Sequence, residues 1–492
     1  MAATEVAVVG AGPAGLSAAL TAANLRLRVT LIDELPDPGG QYLVGNPAIH
    51  SRDTKQPPFS AAERQGLALL GSLARTSIET RFETLVWHLA SDHEPFPRGW
   101  TLGLYHSPPE LGDQAGVAGK VEYLTAGAVI LAAGAREQVV PFPGWTLPGV
   151  MTIGAAQLLA KRHGVAAGRR VLLAGSGPLL LPAAVHLAGL GAEVVAILEA
   201  THPRMWLRHG PAVWGNPLSG IFDWDRINEG RRYLAALRKA RIPYRFGQTV
   251  VRALGAERLE AAVVARLDSR GRPLRNTEEE ISVDAVCVGF GFTPNSELAQ
   301  LAGASLRFDP AGGGWAPALD EGLRTSAPGL FVAGEAGGIA GASAAMMEGR
   351  LAGLGAACHL GRLSEAERTR EQASSAGRRK RAKRFGVVLN TLFAPPPGLS
   401  AITTRDTVIC RCEEVTAGEV REAIARGAAT LDALKTRTRV GQGPCQGRTC
   451  GPILARMLAQ EAGRSPEEAG MFHVRPPVKP VPLAALAEGV LV

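Results

Sequence analysis

Short apolar runs that end in glycine turns recur along this chain, and helical patterns follow them. The first run, residues 6–9, leads into GAGPAG, the alanine-rich SAALTAANL and then RVTLID, which ends at Asp33. An apolar run, a glycine turn, a helix and a second apolar run predict a βαβ unit. The same order starts at Arg170 and ends at Glu199. The pattern therefore predicts an α/β fold with two such units.

The first glycine turn has the spacing of a dinucleotide-binding fingerprint. Its glycines are Gly10, Gly12 and Gly15, where the first allows a tight turn, the second lets the backbone approach a pyrophosphate, and the third allows close helix packing. The acids at the end of the second strand suit ribose hydroxyls. The predicted nucleotide-binding residues are Gly10, Gly12, Pro13, Ala14, Gly15, Asp33 and Glu34.

The second glycine turn departs from this fingerprint. Gly175 and Gly177 are present, but Leu180 stands where the third glycine belongs. Glu199 suits an adenosine ribose and would repel a 2′-phosphate, so NADPH is disfavoured. Three interpretations of this second fold stay open. It uses NADH, it keeps an adenine-nucleotide (NAD or ATP) or structural role, or it is an empty scaffold. The candidate residues are Gly175, Gly177 and Glu199.

Four of the six cysteines lie in the last fifth of the chain. They form Cys410-x-Cys412 and, after about thirty residues, Cys445-x4-Cys450. Four thiolates on glycine-bearing turns suit a [2Fe-2S] cluster, whose negative charge nearby N–H groups and arginines offset. Zinc is the alternative metal, although C-x-C is tighter than its usual spacing, and loss of the metal is a third possibility. Cys287 and Cys358 lie in apolar segments and are predicted to be core residues.

Length and charge limit the remaining possibilities. A chain of 492 residues predicts about three domains. Much of the formal charge of +8 lies in residues 378–384, which we interpret as a solvated linker helix, with an acidic partner or anionic lipid as the alternative. The basic run has no interleaved aromatic residues, so the sequence does not indicate binding to nucleic acid. Without a long apolar stretch or a basic leader, we expect an unsecreted, cytoplasmic chain, at most peripheral at the inner membrane face.

Further motifs resemble the glutathione-reductase-like flavoproteins. Residues 325–335, TSAPGLFVAGE, are similar to their second FAD motif, with Glu335 in place of the usual, shorter Asp. Residues 38–41, PGGQ, and residues 130–137, ILAAGARE, fit the same family, the latter as the strand beneath the flavin. The resemblance implies FAD as cofactor, and a disulfide-reductase cysteine pair is missing because no cysteine precedes Cys287. The implied FAD-binding residues are Gly40, Gln41, Ala133, Gly134, Arg136, Gly334 and Glu335, with a surface turn as the alternative for Gln41 and Arg136.

The C-terminal motifs CRCEEVT and KTRTRVGQGPCQGRTCG resemble a bacterioferritin-associated-ferredoxin-like domain. Such a domain ends one flavoprotein subunit of heteromeric amine dehydrogenases, a family with opine oxidases, the cyanide-forming glycine dehydrogenase, and hydroxyproline and proline dehydrogenases. The resemblance implies that a D-amino-acid-oxidase-like flavoprotein subunit oxidises the amine, and that this chain relays electrons to an acceptor. A further small iron-sulfur subunit is a possible partner. The alternatives are an NADH-dependent reductase and a non-catalytic flavin-binding scaffold.

We assign no catalytic acid or base to this chain, because no His or Tyr stands in a recognisable catalytic context. The segment 202–224, with His202 and His209, is predicted to be loop-rich packing. The predicted segments are the FAD domain (1–145 and 280–365), the second nucleotide domain (146–279), a basic and proline-rich linker (366–399), the cluster domain (400–465) and a tail (466–492).

Overall fold

The structure is a computed structural model that describes residues 2–45, 60–91, 99–107, 119–204 and 224–488. The chain forms two compact units. The first comprises Met1–Arg136, Thr293–Val387 and Val474–Val492, and the second comprises Glu137–Phe292 and Val388–His473. Most of the segment 202–224, including His209, lies outside the described residues. The boundaries of the six predicted segments stay predictions.

The sheet of the first unit carries the first glycine turn. Its central strand, Ala2–Val9, pairs in parallel with Val29–Ile32 on one side and with Lys120–Leu131 on the other. Leu330–Val332 also pairs in parallel with Lys120–Leu131. Within the described chain this sheet has, in spatial order, Glu79–Arg81, Val29–Ile32, Ala2–Val9, Lys120–Leu131, Trp100–His106 and Thr84–Ser91, with Leu330–Val332 beside Lys120–Leu131.

Two helices cover one face of this sheet because their small residues allow close packing. The helix Pro13–Asn24 is rich in alanine, and its packing partner Ala342–His359 is rich in alanine and glycine. Gly349 has no room for a side chain, since a Cβ there would lie 2.0 Å from the Ala14 carbonyl oxygen. Among the described residues, this unit also has the helices Gly40–Leu43, Ala61–Leu73, Glu297–Leu301 and Leu483–Glu488, with 3-10 turns at Pro310–Gly312 and Gly334–Gly337.

The second unit is built on a parallel sheet of fully buried strands. Their continuous apolar sequences, such as VLLA in Arg170–Gly175 and AVCVG in Ala285–Gly289, are typical of strands covered on both faces. The strands in order are Tyr244–Phe246, Glu193–Glu199, Arg170–Gly175, Ala285–Gly289 and Val150–Thr152. An antiparallel sheet, Gln248–Leu254, Ala261–Arg266 and Glu279–Ser282, adjoins it in sequence.

The cysteine-bearing segment belongs to the same unit as the second glycine turn. Its core residues Ile409, Leu434 and Leu454 are fully buried in one cluster with Phe142 and Leu172 of the nucleotide fold. Helices Ala417–Ala425, Leu431–Thr438 and Cys450–Ala462 surround the hairpin of Val408–Cys410 and Val415–Thr416. Further helical segments in the described part of this unit are Ile153–Leu158, Leu159–His163, Leu180–Gly189, Trp224–Lys239, Pro397–Ile402 and Pro466–Ala469.

The remaining elements are a long basic helix and short strands. The helix Glu365–Leu392 contains the charged run 378–384. The short strands are Ala135–Glu137, Phe292–Pro294, Leu306–Asp309 and Gly314–Pro317. In the described part of the chain, no helix has the length and apolarity that crossing a membrane requires. Both predicted βαβ units form, so the α/β fold prediction is confirmed.

Candidate functional site: a flavin cradle and a four-cysteine site

The first glycine turn has the tight geometry that its sequence predicts. Gly10 has a φ of +104°, and a Cβ at this position would lie 2.3 Å from the Ala132 carbonyl oxygen. A Cβ at Gly15 would lie 1.7 Å from the Gly10 carbonyl oxygen. Neither position accepts a side chain without a shift of the backbone. The helix begins at Pro13, directly after Gly12. No side chain caps this helix N-terminus, which leaves its N–H groups to face an anion.

The PGGQ loop lies against this turn and narrows it into a cradle. The Gly39 N–H donates to the Ala11 carbonyl oxygen over 2.8 Å. A Cβ on Gly40, whose φ is +56°, would lie 2.9 Å from the Gly12 Cα. Gln41 is exposed at the start of the short helix Gly40–Leu43. Any side chain at Gly40 would fill the space between the PGGQ loop and the glycine turn. Because glycine leaves this space open, it fits an extended pyrophosphate.

Asp33 lies at the end of the second strand, beside the glycine turn. Its Oδ2 accepts the Ala11 N–H at 2.5 Å, and its Oδ1 accepts the Leu35 N–H at 2.8 Å. Burial raises the pKa of Asp33, although the two N–H groups act to lower it. The side chain keeps some solvent exposure, so a ribose hydroxyl can reach it. The neighbouring Glu34 is more exposed and pairs with Lys479 instead.

Gly334 of the second FAD motif lies against the first turn of the helix Pro13–Asn24. A Cβ on Gly334, whose φ is +72°, would lie 2.8 Å from the Ala14 Cβ. The Gly334 N–H donates to Oε2 of Glu348 at 3.1 Å, and Lys383 reaches within 2.6 Å of Oε1 of the same carboxylate. Glu348 is only 3% exposed. The predicted residues Gly12, Ala14, Gly40 and Gly334 therefore surround one cradle, with Glu335 next to Gly334 in a 3-10 turn.

The segment AGARE is fixed by the segment that follows the strand Phe292–Pro294. The Asn295 side chain donates to the Ala133 carbonyl oxygen at 2.8 Å, and the Asn295 N–H donates to the Gly134 carbonyl oxygen at 3.0 Å. Arg136 donates to Glu297 at 2.6 Å and to Asn295 at 3.0 Å. Gly134 has open space on its Cβ side. A contact of Arg136 with the cofactor stays a prediction.

The second glycine turn shares only part of this geometry. A Cβ on Gly175 would lie 1.8 Å from the Gly289 carbonyl oxygen, much as Gly10 approaches Ala132. The helix, however, begins at Leu180, which is three residues after Gly177 and 1% exposed. The leucine at the third glycine position is therefore the first residue of the helix, and the turn before it is longer.

Glu199 is completely buried and has its partners within the second fold. Its Oε2 accepts the Gly177 N–H at 3.0 Å, while its Oε1 accepts the N–H of Thr201 at 3.0 Å and its hydroxyl at 2.8 Å. Burial raises the pKa of Glu199 to about 7. This carboxylate has no exposed surface with which to meet a ribose.

The four clustered cysteines come together as two pairs. Cys410 hydrogen-bonds to Cys450, and Cys412 hydrogen-bonds to Cys445. Within the described residues the sulfurs do not form a closed cage of three or more ligands. All four are free thiols, and Cys450 also interacts electrostatically with Cys445. Two adjacent thiol pairs fit a [2Fe-2S] rhomb, which takes four cysteine ligands.

The surroundings of Cys410 favour a thiolate. The Cys450 thiol and then the N–H groups of Gly441, Glu413 and Cys412 lower the pKa of Cys410 to about 5. The same hydrogen bond to Cys410, together with burial, raises the pKa of Cys450. Gly443 is required here, because a Cβ would lie 2.2 Å from the Cys412 Cβ. N–H groups aimed at sulfur suit a cluster with negative charge.

Two side chains that the sequence did not indicate hold this site. Trp145 is 4% exposed, and its Nε1–H donates to the Val408 carbonyl oxygen at 2.7 Å. Arg411, between the first two cysteines, lies 5.4 Å from the Trp145 ring. Because the partners are more than 260 residues apart in sequence, no local pattern could indicate them.

Cys287 and Cys358 lie outside the four-cysteine site. Cys287 is completely buried, and burial raises its pKa to about 12, as the core prediction requires. Cys358 is half-buried near Glu365 and is less enclosed than predicted, because the helix that carries it ends at His359.

Comparison with known proteins agrees with this geometry. The family model "Pyridine nucleotide-disulphide oxidoreductase" matches residues 4–213 and 227–349, and the "BFD-like [2Fe-2S] binding domain" model matches residues 408–460. The first model implies FAD, and the second implies a [2Fe-2S] cluster. The predicted FAD and [2Fe-2S] cofactors are therefore confirmed, whereas an adenine nucleotide in the second fold stays a prediction. FAD fits the cradle around Gly12, and the cluster fits Cys410, Cys412, Cys445 and Cys450.

Known proteins match this chain over nearly its whole length. The chain is 34% identical to an opine oxidase subunit of Rhizobium meliloti, over 98% of this chain and 87% of the relative. It is 32% identical to hydrogen cyanide synthase subunit HcnB of Pseudomonas aeruginosa, over 97% of both. L-proline dehydrogenase from P. horikoshii has the same fold, with a TM-score of 0.67 and 22% identity, over 99% of this chain and 80% of that one. This chain belongs to the family of FAD- and [2Fe-2S]-containing oxidoreductase subunits that includes these opine oxidase and hydrogen cyanide synthase proteins.

Proposed function

We propose that this chain relays electrons in a heteromeric dehydrogenase that oxidises an amino acid or an opine-type amine at its C–N bond. The supporting observation is that a flavin cradle and a four-thiol site occur on one chain. Its relatives are named as subunits of an opine oxidase and of a hydrogen cyanide synthase, so a multi-subunit enzyme acting on an amine is the function that fits best.

The redox stoichiometry supports a relay. Oxidation of an amine C–H/N–H pair to an imine releases two electrons and two protons. FAD exchanges one or two electrons and a [2Fe-2S] cluster exchanges one, so a chain with both converts a two-electron input into one-electron steps. The chain's own residues would hold these groups: the Gly12 and Gly40 backbones would lie against the pyrophosphate, and the four cysteine sulfurs would ligate the cluster.

The amine itself is proposed to react on a partner. We assign no catalytic acid or base to this chain. Among the candidate residues, Glu199 is buried and Arg136 is paired with Glu297. A D-amino-acid-oxidase-like flavoprotein subunit would supply that site, and a further small iron-sulfur subunit would fit the same assembly. A reducing compartment such as the cytoplasm suits the four free thiols before the cluster is assembled.

The alternative is an NADH-dependent reductase, which the name of the family model favours. It requires a nucleotide in the second fold. The buried Glu199 and the late helix start at Leu180 count against it.

The test is amine-dependent reduction of the native complex. The tagged chain is purified with its associated subunits, and the complex is mixed anaerobically with a panel of amino acids and N-carboxyalkyl amino acids. We expect at least one amine to bleach the flavin and to produce the electron paramagnetic resonance signal of a reduced cluster. A complex that no amine reduces, but that NADH reduces fully, would exclude the proposal. A complex with Cys445→Ser is the control, since its flavin should bleach without the cluster signal.

A further inference from the structure

The second glycine turn is covered by a segment of its own unit. The Ser176 hydroxyl donates to the Phe393 carbonyl oxygen at 2.6 Å. A Cβ on Gly177 would lie 3.8 Å from the Phe393 Cβ. Phe393 follows the basic helix Glu365–Leu392 directly and leads to the cysteine-bearing segment. In a dinucleotide-binding fold this turn meets the pyrophosphate. Here a polar side chain of the turn holds a protein carbonyl.

The ribose side of the same turn is also closed. The carboxylate of Glu199 accepts the Gly177 N–H and is 0% exposed. Tyr244 lies beside it, with its hydroxyl 3.4 Å from Oε2. The two places where a dinucleotide would make polar contacts, the glycine turn and the strand-end acid, therefore both have internal partners.

The bond from Ser176 is the first of a series between the nucleotide fold and the cluster-bearing segment. The Gly398 N–H donates to the Arg270 carbonyl oxygen at 2.9 Å, and the Thr403 hydroxyl donates to the Pro141 carbonyl oxygen at 2.7 Å. The series continues with the bond from Trp145 to Val408. Each bond joins residues well over a hundred positions apart in sequence, all within the second unit.

Arg456 completes this series from the helix that begins at Cys450. Its guanidinium donates to the Gln138 side chain at 2.8 Å and to the Val139 carbonyl oxygen at 3.0 Å. Burial lowers the pKa of Arg456 to about 10. A partly buried guanidinium that donates to a carbonyl and an amide oxygen is costly to displace, so these two bonds tie the helix after the fourth cysteine to the nucleotide fold.

We propose that the second nucleotide fold is a dock for the [2Fe-2S] domain, and that its glycine turn holds the backbone at Phe393 in place of a nucleotide. Ser176 is then a positioning residue, since it fixes the connector that leads to Cys410. The inference rests on the proposed relay in one respect, because the docked domain is the one that would hold the cluster.

The first test is nucleotide binding by the holoprotein loaded with FAD and iron. NADH, NAD⁺ and ATP are added in separate equilibrium-dialysis experiments, and hydrogen exchange is followed in peptides covering residues 171–182. We expect no bound nucleotide beyond FAD and unchanged exchange. Stoichiometric binding of any of the three, with protection of residues 171–182, would overturn the proposal. If NADH bound without reducing the flavin, the docking proposal would be wrong and the proposed electron relay would be unaffected.

The second test is Ser176→Ala, which removes the hydroxyl without adding bulk. Loss of one hydrogen bond should speed amide exchange in residues 388–399 by about tenfold. Ser269→Ala changes an exposed serine of the same unit and should leave that exchange unchanged. A Ser176→Ala protein with the exchange of the unaltered chain would contradict the positioning role.

Discussion

The two nucleotide folds of this chain begin alike. In both, the first glycine lies against a carbonyl at the end of the neighbouring parallel strand: that of Ala132, directly after Lys120–Leu131, for Gly10, and that of Gly289 for Gly175. In both, the acid at the end of the second strand accepts an N–H from the glycine turn. The first half of the fingerprint therefore reports the closeness of two strands and does not reveal whether a nucleotide binds.

The folds differ at the third glycine position and at the acid. Gly15 lies so close to Gly10 that no side chain fits, and the helix there starts at Pro13. Leu180 is tolerated because its helix starts later. Asp33 keeps some exposure, whereas Glu199 has none. A usable nucleotide site requires an early helix start and an accessible acid, and the described residues combine both in the first fold.

The largest expected effect comes from placing leucine, the residue at the third glycine position of the second fold, at the same position of the first fold. Gly15→Leu places a side chain where even a Cβ lies 1.7 Å from a backbone oxygen, so the helix must move away from the cradle. We expect the flavin content to fall below about a tenth of that of the unaltered chain. Flavin released by denaturation gives the measurement. Leu180→Ala is the matched control and should keep its flavin, with lower thermal stability.

Loss of one cluster ligand should separate the two cofactors. Cys445→Ser removes a sulfur that two other cysteines approach, so iron and sulfide should be lost while flavin remains. Chemical assay of iron, sulfide and flavin on the same sample measures this. Cys287→Ala, in the core, should keep all three. Loss of flavin from a folded Cys445→Ser protein would contradict separate sites.

The buried acid of the second fold predicts a pH dependence of stability. Because the pKa of Glu199 is raised from 4.5 to about 7, the folded state favours the protonated form. The contribution of Glu199 to the free energy of unfolding is present in full below pH 4.5. It is lost as the pH rises to about 7, and the total loss is about 3 kcal/mol. Denaturant unfolding at pH 5 and pH 8 should show this fall in the unaltered chain and a smaller one in Glu199→Gln. Equal falls in both proteins would contradict the closed carboxylate.

The smallest expected effect is at the pair that supports the flavin cradle. Lys383→Met leaves the buried Glu348 without its cation beside Gly334. Loss of a fully buried partner costs about 3–5 kcal/mol, and because Lys383 is 40% exposed we expect about 2 kcal/mol, with weaker flavin binding. Thermal melting and flavin titration measure both. Lys380→Met, on the exposed side of the same helix, is the control and should change neither.

Local spacing was enough to predict the α/β fold, the flavin turn and the four-cysteine site. The signals there are short: three glycines within six residues, and two cysteine pairs with one and four intervening residues. These positions are defined by backbone sterics or by ligand chemistry, so they appear in the sequence directly.

Contacts between distant segments could not be predicted in this way. The Ser176 and Phe393 bond, the Trp145 and Val408 bond and the Glu348 and Lys383 pair join segments whose proximity depends on the whole fold. A serine in a glycine turn suits a phosphate as well as a carbonyl. For the same reason Glu199 met every sequence criterion of a ribose ligand, although it is buried in the fold.

The most direct measurement is an anaerobic titration of the purified chain with NADH, following the visible flavin bands, with iron and sulfide assayed on the same sample. We expect flavin, iron and sulfide all to be present, and NADH not to bleach the flavin. Bleaching at stoichiometric NADH would contradict the relay, because the second fold would then be a working nicotinamide site and the chain an NADH-dependent reductase.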